Sequence, residues 1–331
     1  MAMKRPSTMG STEEAPEVPN FANGVPTSSR RVALKRVGVA LGVFVVGGSA
    51  VAVTEGDAGA DARRPLFTEL LPQSPAADGP TIVFLPGLGA TTRFWKARVT
   101  SLTMNARLLL VDLLGFGRSP KPWTAYTVDR HITALREVLQ PIAATGRLVL
   151  VGHSLGARLA VTYAARYPGE VAQLVLVSMP YFGRTESAKG YFGRQGAEGW
   201  IMTHMIPAAI ACLVSRRLLG WALPRLVRDV PREVAEDLNQ MTWRSSTSTL
   251  WQVIYDYDLA ADLASIEGKI PMLCLHGDRD ESAPLGPIRD LAASHRECRL
   301  VVYSGATHGL PLEQPEWVRK QIASVLPSPS R

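Results

Sequence analysis

Ser154 is the residue of this chain best placed to act as a nucleophile. It lies in Gly152-His153-Ser154-Leu155-Gly156, directly after the apolar run 148–151 and directly before an Ala-rich helical pattern. A sharp strand-to-helix turn strains such a serine and lifts its hydroxyl above the sheet, while small flanking residues let strand and helix approach closely. A serine hydroxyl is a weak nucleophile at neutral pH, so it needs a base within hydrogen-bond reach and an acid that orients the base. The chain has 6 histidines. His153 lies inside the turn and would point away from the exposed face of Ser154. His131 falls on a helix, His295 ends one, His204 lies in a helical insertion and His276 closes a strand. His308, in Ser304-Gly305-Ala306-Thr307-His308-Gly309, leaves the last strand on a loop that can swing over the strand ends, and is the expected base. The acid is expected from the strand before it, where Gly277-Asp278-Arg279-Asp280 presents two carboxylates ahead of Pro284. Either could orient His308.

Attack by a serine on a carbonyl leaves negative charge on the former carbonyl oxygen, and losing one donor to it typically costs about 3–4 kcal/mol. Backbone N–H groups suffice as donors. One is expected at Leu155, directly after the nucleophile, and the other in the loop after the first parallel strand, Phe84-Leu85-Pro86-Gly87-Leu88-Gly89.

These residues need a rigid frame, and the pattern from Thr81 onward supplies one. Short β-branched or Leu-rich runs alternate with helical patterns, as expected for parallel strands buried on both faces. Strands are expected at 81–85, 107–112, 148–151, 172–177, 271–275 and 299–303, with 66–71 as a possible antiparallel edge strand. Helices are expected near 127–144, 155–167, 284–294 and 315–326, each opened by a Pro, Ser or Thr signal or by the turn at Ser154. The outline is an α/β fold with a doubly wound, mostly parallel sheet. Residues 180–268 interrupt the alternation without a clear strand and are expected to form an inserted helical cap over the strand ends. Its Met, Ile and Trp side chains are read mainly as the core of that cap.

The chain order Ser, Asp, His, with the serine between strand and helix, resembles the α/β-hydrolase superfamily. In that family's Gly-x-x-Asp pattern the acid matches Asp280, which leaves Asp278 as a turn-capping residue. By the same resemblance Leu88 supplies the second oxyanion N–H, although Pro86 stands where many relatives carry His. Val111-Asp112-Leu113-Leu114-Gly115-Phe116-Gly117-Arg118-Ser119 also looks like a family motif, with Asp112 holding loops by hydrogen bonds rather than reacting. The resemblance implies a capped, esterase- or lipase-like serine hydrolase cleaving an ester or related acyl bond of a small, apolar molecule. It implies neither metal nor organic cofactor. The same triad serves carbon–carbon bond hydrolysis and cofactor-free perhydrolysis elsewhere in the superfamily, and a noncatalytic binding protein on this fold is the alternative of a different class.

Length and composition are consistent with that outline: 331 residues at 46% hydrophobic content can bury a large core. The net charge of +7 invites an anionic partner, but no finger, basic zipper or RNA-binding sheet motif accompanies it, so no nucleic acid is expected. Weak attraction to an anionic membrane surface is the more modest reading. The three cysteines, Cys212, Cys274 and Cys298, form no C-x-x-C pair and read as buried thiols. Residues 1–29 are rich in Pro, Ser, Thr and Gly and read as a flexible tail within an N-terminal region, residues 1–60, that precedes the domain at 61–331. Arg30-Arg31 followed by the apolar run 37–53 resembles a twin-arginine export signal. A retained membrane anchor through residues 37–53 is the rival, a buried core helix the third reading, and either of the first two carries the body across or onto the cytoplasmic membrane.

Overall fold

The computed structural model describes residues 64–72, 80–104, 106–183, 188–196, 201, 203–204, 207–208, 231–237 and 240–326. The Arg30-Arg31 motif, the apolar run 37–53 and Cys212 lie outside them. No helix among the described residues is long and apolar enough to cross a membrane.

Seven strands form one sheet: β1 Thr68–Leu70, β2 Thr81–Leu85, β3 Arg107–Val111, β4 Leu148–His153, β5 Val171–Val177, β6 Met272–Gly277 and β7 Cys298–Tyr303. Their order is β1-β3-β2-β4-β5-β6-β7. β1 pairs antiparallel with β3, and every other pairing is parallel. The expected edge strand is therefore present but only three residues long. β4 runs two residues beyond its expected end because Gly152 and His153 remain paired with Leu176 and Val177.

The apolar runs are continuous because both faces of the sheet are covered. Alternate residues nonetheless go to different cores, as a period of two requires. Val83, Leu85, Leu148 and Leu150 join one cluster, whereas Ile82, Phe84, Val149 and Val151 join the other. The first cluster is closed by α2 Val128–Ala143 and α3 Leu155–Arg166, and the second by α1 Thr92–Val99. α2 offers Ile132, Leu135 and Leu139 on one side, the spacing of an amphipathic helix, and Thr127 caps its start. α1 is shorter than the pattern-based reading could resolve. It is fixed by Thr91, whose side chain accepts from Arg93 N, and by burial of Phe94 and Trp95.

Between β5 and β6 lie α4 Ala188–Gly193, α5 Arg232–Asp237, α6 Trp243–Thr249, a π-helical segment Leu250–Tyr255 and α7 Leu259–Ile266. α7, at the end of the segment expected as a cap, packs alongside α3. A helical pattern alone does not say which neighbour the helix covers. The C-terminal part adds α8 Leu285–Ser294, α9 Leu310–Glu313 and α10 Pro315–Ala323 around β7.

One buried cation joins these layers. Arg158, on α3 one turn after Ser154, donates from Nε to Val253 O at 2.9 Å, from Nη1 to Pro180 O at 2.7 Å and from Nη2 to Tyr257 O at 2.9 Å. It is 3% exposed, and burial pulls its pKa down to about 10. The three carbonyls belong to the exit of β5, the π-helical segment and the approach to α7, so one guanidinium ties all three to α3. Arg158→Leu leaves those carbonyls without their donor and is expected to lower stability by about 3 kcal/mol in urea unfolding. A loss under about 0.5 kcal/mol would show that water or repacking replaces it.

Candidate active site

The turn after β4 is as strained as the sequence requires. Ser154 has φ 52° and ψ −115°, a conformation costing of order 1–3 kcal/mol for a residue with a side chain. It survives because its surroundings leave no alternative. A Cβ on Gly152 would stand 2.4 Å from Ala157 N, and one on Gly156 would stand 2.3 Å from Leu85 O. Helix, strand and the end of β2 therefore touch backbone to backbone, which only glycine permits. Ser154 N–H donates to Val177 O at 3.0 Å, and Ser154 O begins the α3 ladder by accepting from Ala157 and Arg158.

Ser154, His308 and Asp280 form one chain of hydrogen bonds. Ser154 Oγ lies 2.8 Å from His308 Nε2, and His308 Nδ1 lies 2.9 Å and 3.0 Å from the two Asp280 oxygens. A carboxylate only accepts, so Nδ1 carries the hydrogen and Nε2 is left bare to accept from the serine hydroxyl. Asp280 is buried and also accepts from Ser282 N at 2.9 Å and Ala283 N at 2.8 Å. Burial pushes its pKa up, but the His308 hydrogen bond and charge, with help from His276 and Ala283, outweigh this and hold it below the usual carboxylate range. Its ionised form is thus built in.

Asp278 takes no part in that chain. Its carboxylate accepts from Gly305 N at 2.6 Å and Ser304 Oγ at 3.0 Å, tying the exit of β6 to the exit of β7. Those two bonds, the Gly305 one foremost, lower its pKa although it is fully exposed. Sequence spacing left open which of the two carboxylates meets His308, and in the structure it is Asp280.

The turn that carries Leu88 lies against Ser154, a Cβ on Gly87 standing 3.4 Å from Ser154 Cβ, and Leu155 follows the serine directly. Gly87 to Ala90 is a tight turn closed by Ala90 N–H to Gly87 O at 3.2 Å, with Leu88 at its apex. Leu155 is the first residue of α3, where N–H groups lack intrahelical partners. Among the described residues none accepts from the N–H of either. The turn is braced by two acids. Asp112 accepts from Thr92 N at 2.6 Å and Arg118 N at 2.8 Å, as its motif implied. Asp237, reaching from α5, accepts from Thr91 Oγ1 at 2.5 Å and pairs with Arg93 at 3.0 Å. Burial raises the pKa of both acids more than these bonds lower it.

Four contributors were not legible in the sequence. His153 is buried, and its Nε2 lies 2.9 Å from the backbone oxygen of His308. His276 Nε2 lies 2.9 Å from Ala283 O and 3.6 Å from Asp280 Oδ2, holding the acid loop from below. Tyr191 and Gln195, on and just after α4, donate to Glu281 O at 3.1 Å and 3.0 Å. A histidine at the residue before a candidate nucleophile is the one feature that could have drawn attention; the Tyr191 and Gln195 bonds reach across 90 and 86 residues, and the short-range His276 contacts depend on side-chain direction.

The chain belongs to the alpha/beta hydrolase family, whose model matches residues 82–321. That membership supports hydrolase activity. The AB hydrolase superfamily protein YisY of Bacillus subtilis is 27% identical over 259 residues, spanning 74% of this chain and 91% of that protein. The 2-(acetamidomethylene)succinate hydrolase of Mesorhizobium japonicum is 26% identical over 253 residues, spanning 75% and 88%. A thermophilic esterase from Thermogutta terrifontis superposes with a TM-score of 0.57 at 22% identity, over 78% of this chain and 92% of that one, and so shares the fold.

Two imidazoles of this region are neutral because they are fully buried: burial pulls His153 down to about 3 and His131 down to about 4. Unfolding exposes both, so the unfolded chain takes up more protons below its ordinary histidine pKa of about 6.5. The stability these residues carry is therefore complete above about pH 6.5 and is lost as pH falls towards 4 and 3. Histidine NMR resonances of His131 and His153 are expected to stay at their neutral positions at pH 5. Titration of either near its ordinary value would contradict the buried geometry.

Proposed function

We propose that this protein is a serine hydrolase that cleaves an ester or related acyl bond through an acyl-enzyme. Ser154 is the nucleophile, His308 the base, Asp280 the residue that holds the imidazole tautomer, and the N–H groups of Leu88 and Leu155 the oxyanion donors. The observation that carries the reading is the unbroken path from Ser154 Oγ through His308 to a buried, ionised Asp280, at 2.8 Å and 2.9 Å. Geometry of this kind is what recognises a triad, whatever the sequence positions.

The chemistry follows from the proton positions. His308 Nε2 takes the hydroxyl proton as Ser154 Oγ attacks the carbonyl carbon. The imidazolium that forms is stabilised by Asp280, and the oxyanion by the two backbone donors, each worth about 3–4 kcal/mol of barrier. His308 then gives the proton to the leaving oxygen. Water repeats the cycle in reverse roles and releases the acid. An apolar acyl group is the reading that the sequence of the segment between β5 and β6 favours, and Phe182, Tyr191, Phe192 and Tyr255 of that segment pack together beside the acid loop. The names of two similar proteins, an esterase and a 2-(acetamidomethylene)succinate hydrolase, agree with hydrolysis of an acyl bond. Export or anchoring through Arg30-Arg31 and residues 37–53 remains part of this proposal on sequence grounds alone.

A fluorophosphonate probe is expected to label the folded protein, and Ser154→Ala to abolish both labelling and hydrolysis of p-nitrophenyl esters. Labelling that persists in Ser154→Ala, or folded protein inert to probe and esters alike, would refute the reading. Asp280→Asn should lower kcat by about 10³–10⁴, the cost of a mis-set tautomer, whereas Asp278→Asn should change it by no more than about threefold. Equal losses in the two variants would exclude Asp280 as the orienting acid.

A further inference from the structure

We propose that His153 is a positioning residue for the base: it holds the backbone of His308 while Asp280 holds its ring. The inference rests on the roles given above to Ser154 and His308. His153 Nε2 stands 2.9 Å from His308 O. A carbonyl oxygen only accepts, so Nε2 must be the protonated nitrogen and the tautomer is set. His153 Nδ1 is then a bare acceptor, buried and without a hydrogen-bond partner among the described residues. A Cβ on Gly87 would lie 3.0 Å from that atom, which places it against the turn that carries Leu88.

Leaving one buried nitrogen unpaired costs of order 1–3 kcal/mol, a penalty that an apolar residue of the same shape would avoid. The Nε2 bond is what a phenyl ring could not supply. Phe94 fixes the plane of the imidazole by stacking on it, with centroids 4.8 Å apart and 21° between planes.

The connectivity explains why this bond matters to the reaction. His153 and Ser154 are consecutive, so the end of β4 reaches His308 twice: through the serine hydroxyl at 2.8 Å and through the His153 ring at 2.9 Å. The result is a closed ring of covalent and hydrogen bonds in which the base cannot drift from the nucleophile without breaking one link. The two imidazoles lie 5.2 Å apart. His153 stays uncharged through burial, so it does not oppose the imidazolium that His308 becomes.

Three substitutions separate this role from a packing role. Gln carries its amide nitrogen three bonds from Cβ, where the imidazole carries Nε2, so His153→Gln keeps the donor. His153→Asn places its amide one atom short, and His153→Phe keeps the ring and the stacking but no donor. With p-nitrophenyl ester kinetics, fluorophosphonate labelling rates and thermal melts on all four proteins, Phe and Asn should lose about 10- to 100-fold in kcat and labelling rate with KM within about twofold. Gln should stay within about threefold of the parent. Full activity in His153→Phe, or a loss in Gln as large as in Asn, would overturn the proposal; should Phe fail to fold, the Gln–Asn contrast decides by the same criteria. Parent protein that is silent to both probe and esters would instead refute the nucleophile assignment on which this one rests.

Discussion

Three pieces of backbone meet at Ser154 with no side chain between them, and the rest of the site is arranged around that contact. The missing Cβ atoms at Gly152 and Gly156 let α3 start almost on top of Leu85 and beside the end of β4. Ser154 is forced to positive φ, its hydroxyl stands clear of the sheet, and the first N–H of α3 is left unsatisfied beside it. The Leu88 turn is brought close by the same contact, since it leaves β2 at Leu85. One packing constraint therefore places a strained serine beside the first N–H of α3 and the turn of Leu88. The strain is sustained by a sheet whose two faces are both buried under helices.

The other half of the constellation comes from loops that the sheet alone would not hold. β6 and β7 end side by side, and Asp278 ties their exits together through Gly305. Asp280 is locked by two backbone donors, and His276 and Tyr191 hold its loop from either side. On the opposite flank, Asp237 of α5 grips Thr91 and Arg93 and so steadies the start of α1, just beyond the Leu88 turn. The described helices between β5 and β6 thus grip the loops on both sides of Ser154. Arg158 fastens the same region to α3 from beneath.

The sheet was legible because a strand buried on both faces leaves an unmistakable apolar run, and each parallel strand falls within two residues of its pattern. The serine and histidine were legible for a related reason: the turn at Ser154 has strict local demands, and the loop after the last strand contains one histidine. The choice between Asp278 and Asp280 was not a local question, because both lie within one short loop and only the direction of each carboxylate separates them. Asp237 bonds a residue 146 positions away, and Arg158 reaches carbonyls 95 and 99 positions away, so no spacing rule could expose them. The packing of α7 on α3 was not legible, because its amphipathic pattern is the same whether it covers α3 or a cap. His153 was set aside because neighbouring strand residues point to opposite faces, yet its ring lies 5.2 Å from that of His308 and bonds its backbone oxygen.

The central claim is that an acyl group passes through Ser154. Cleavage after Arg147 and Arg158 releases a peptide of residues 148–158 that contains Ser154 as its one hydroxyl-bearing side chain. Rapid acid quenching during turnover of a slowly released p-nitrophenyl ester, followed by mass spectrometry of the digest, should find the acyl mass on that peptide and not in Ser154→Ala. Steady turnover with no acyl adduct, or an adduct on any other peptide, would contradict the account.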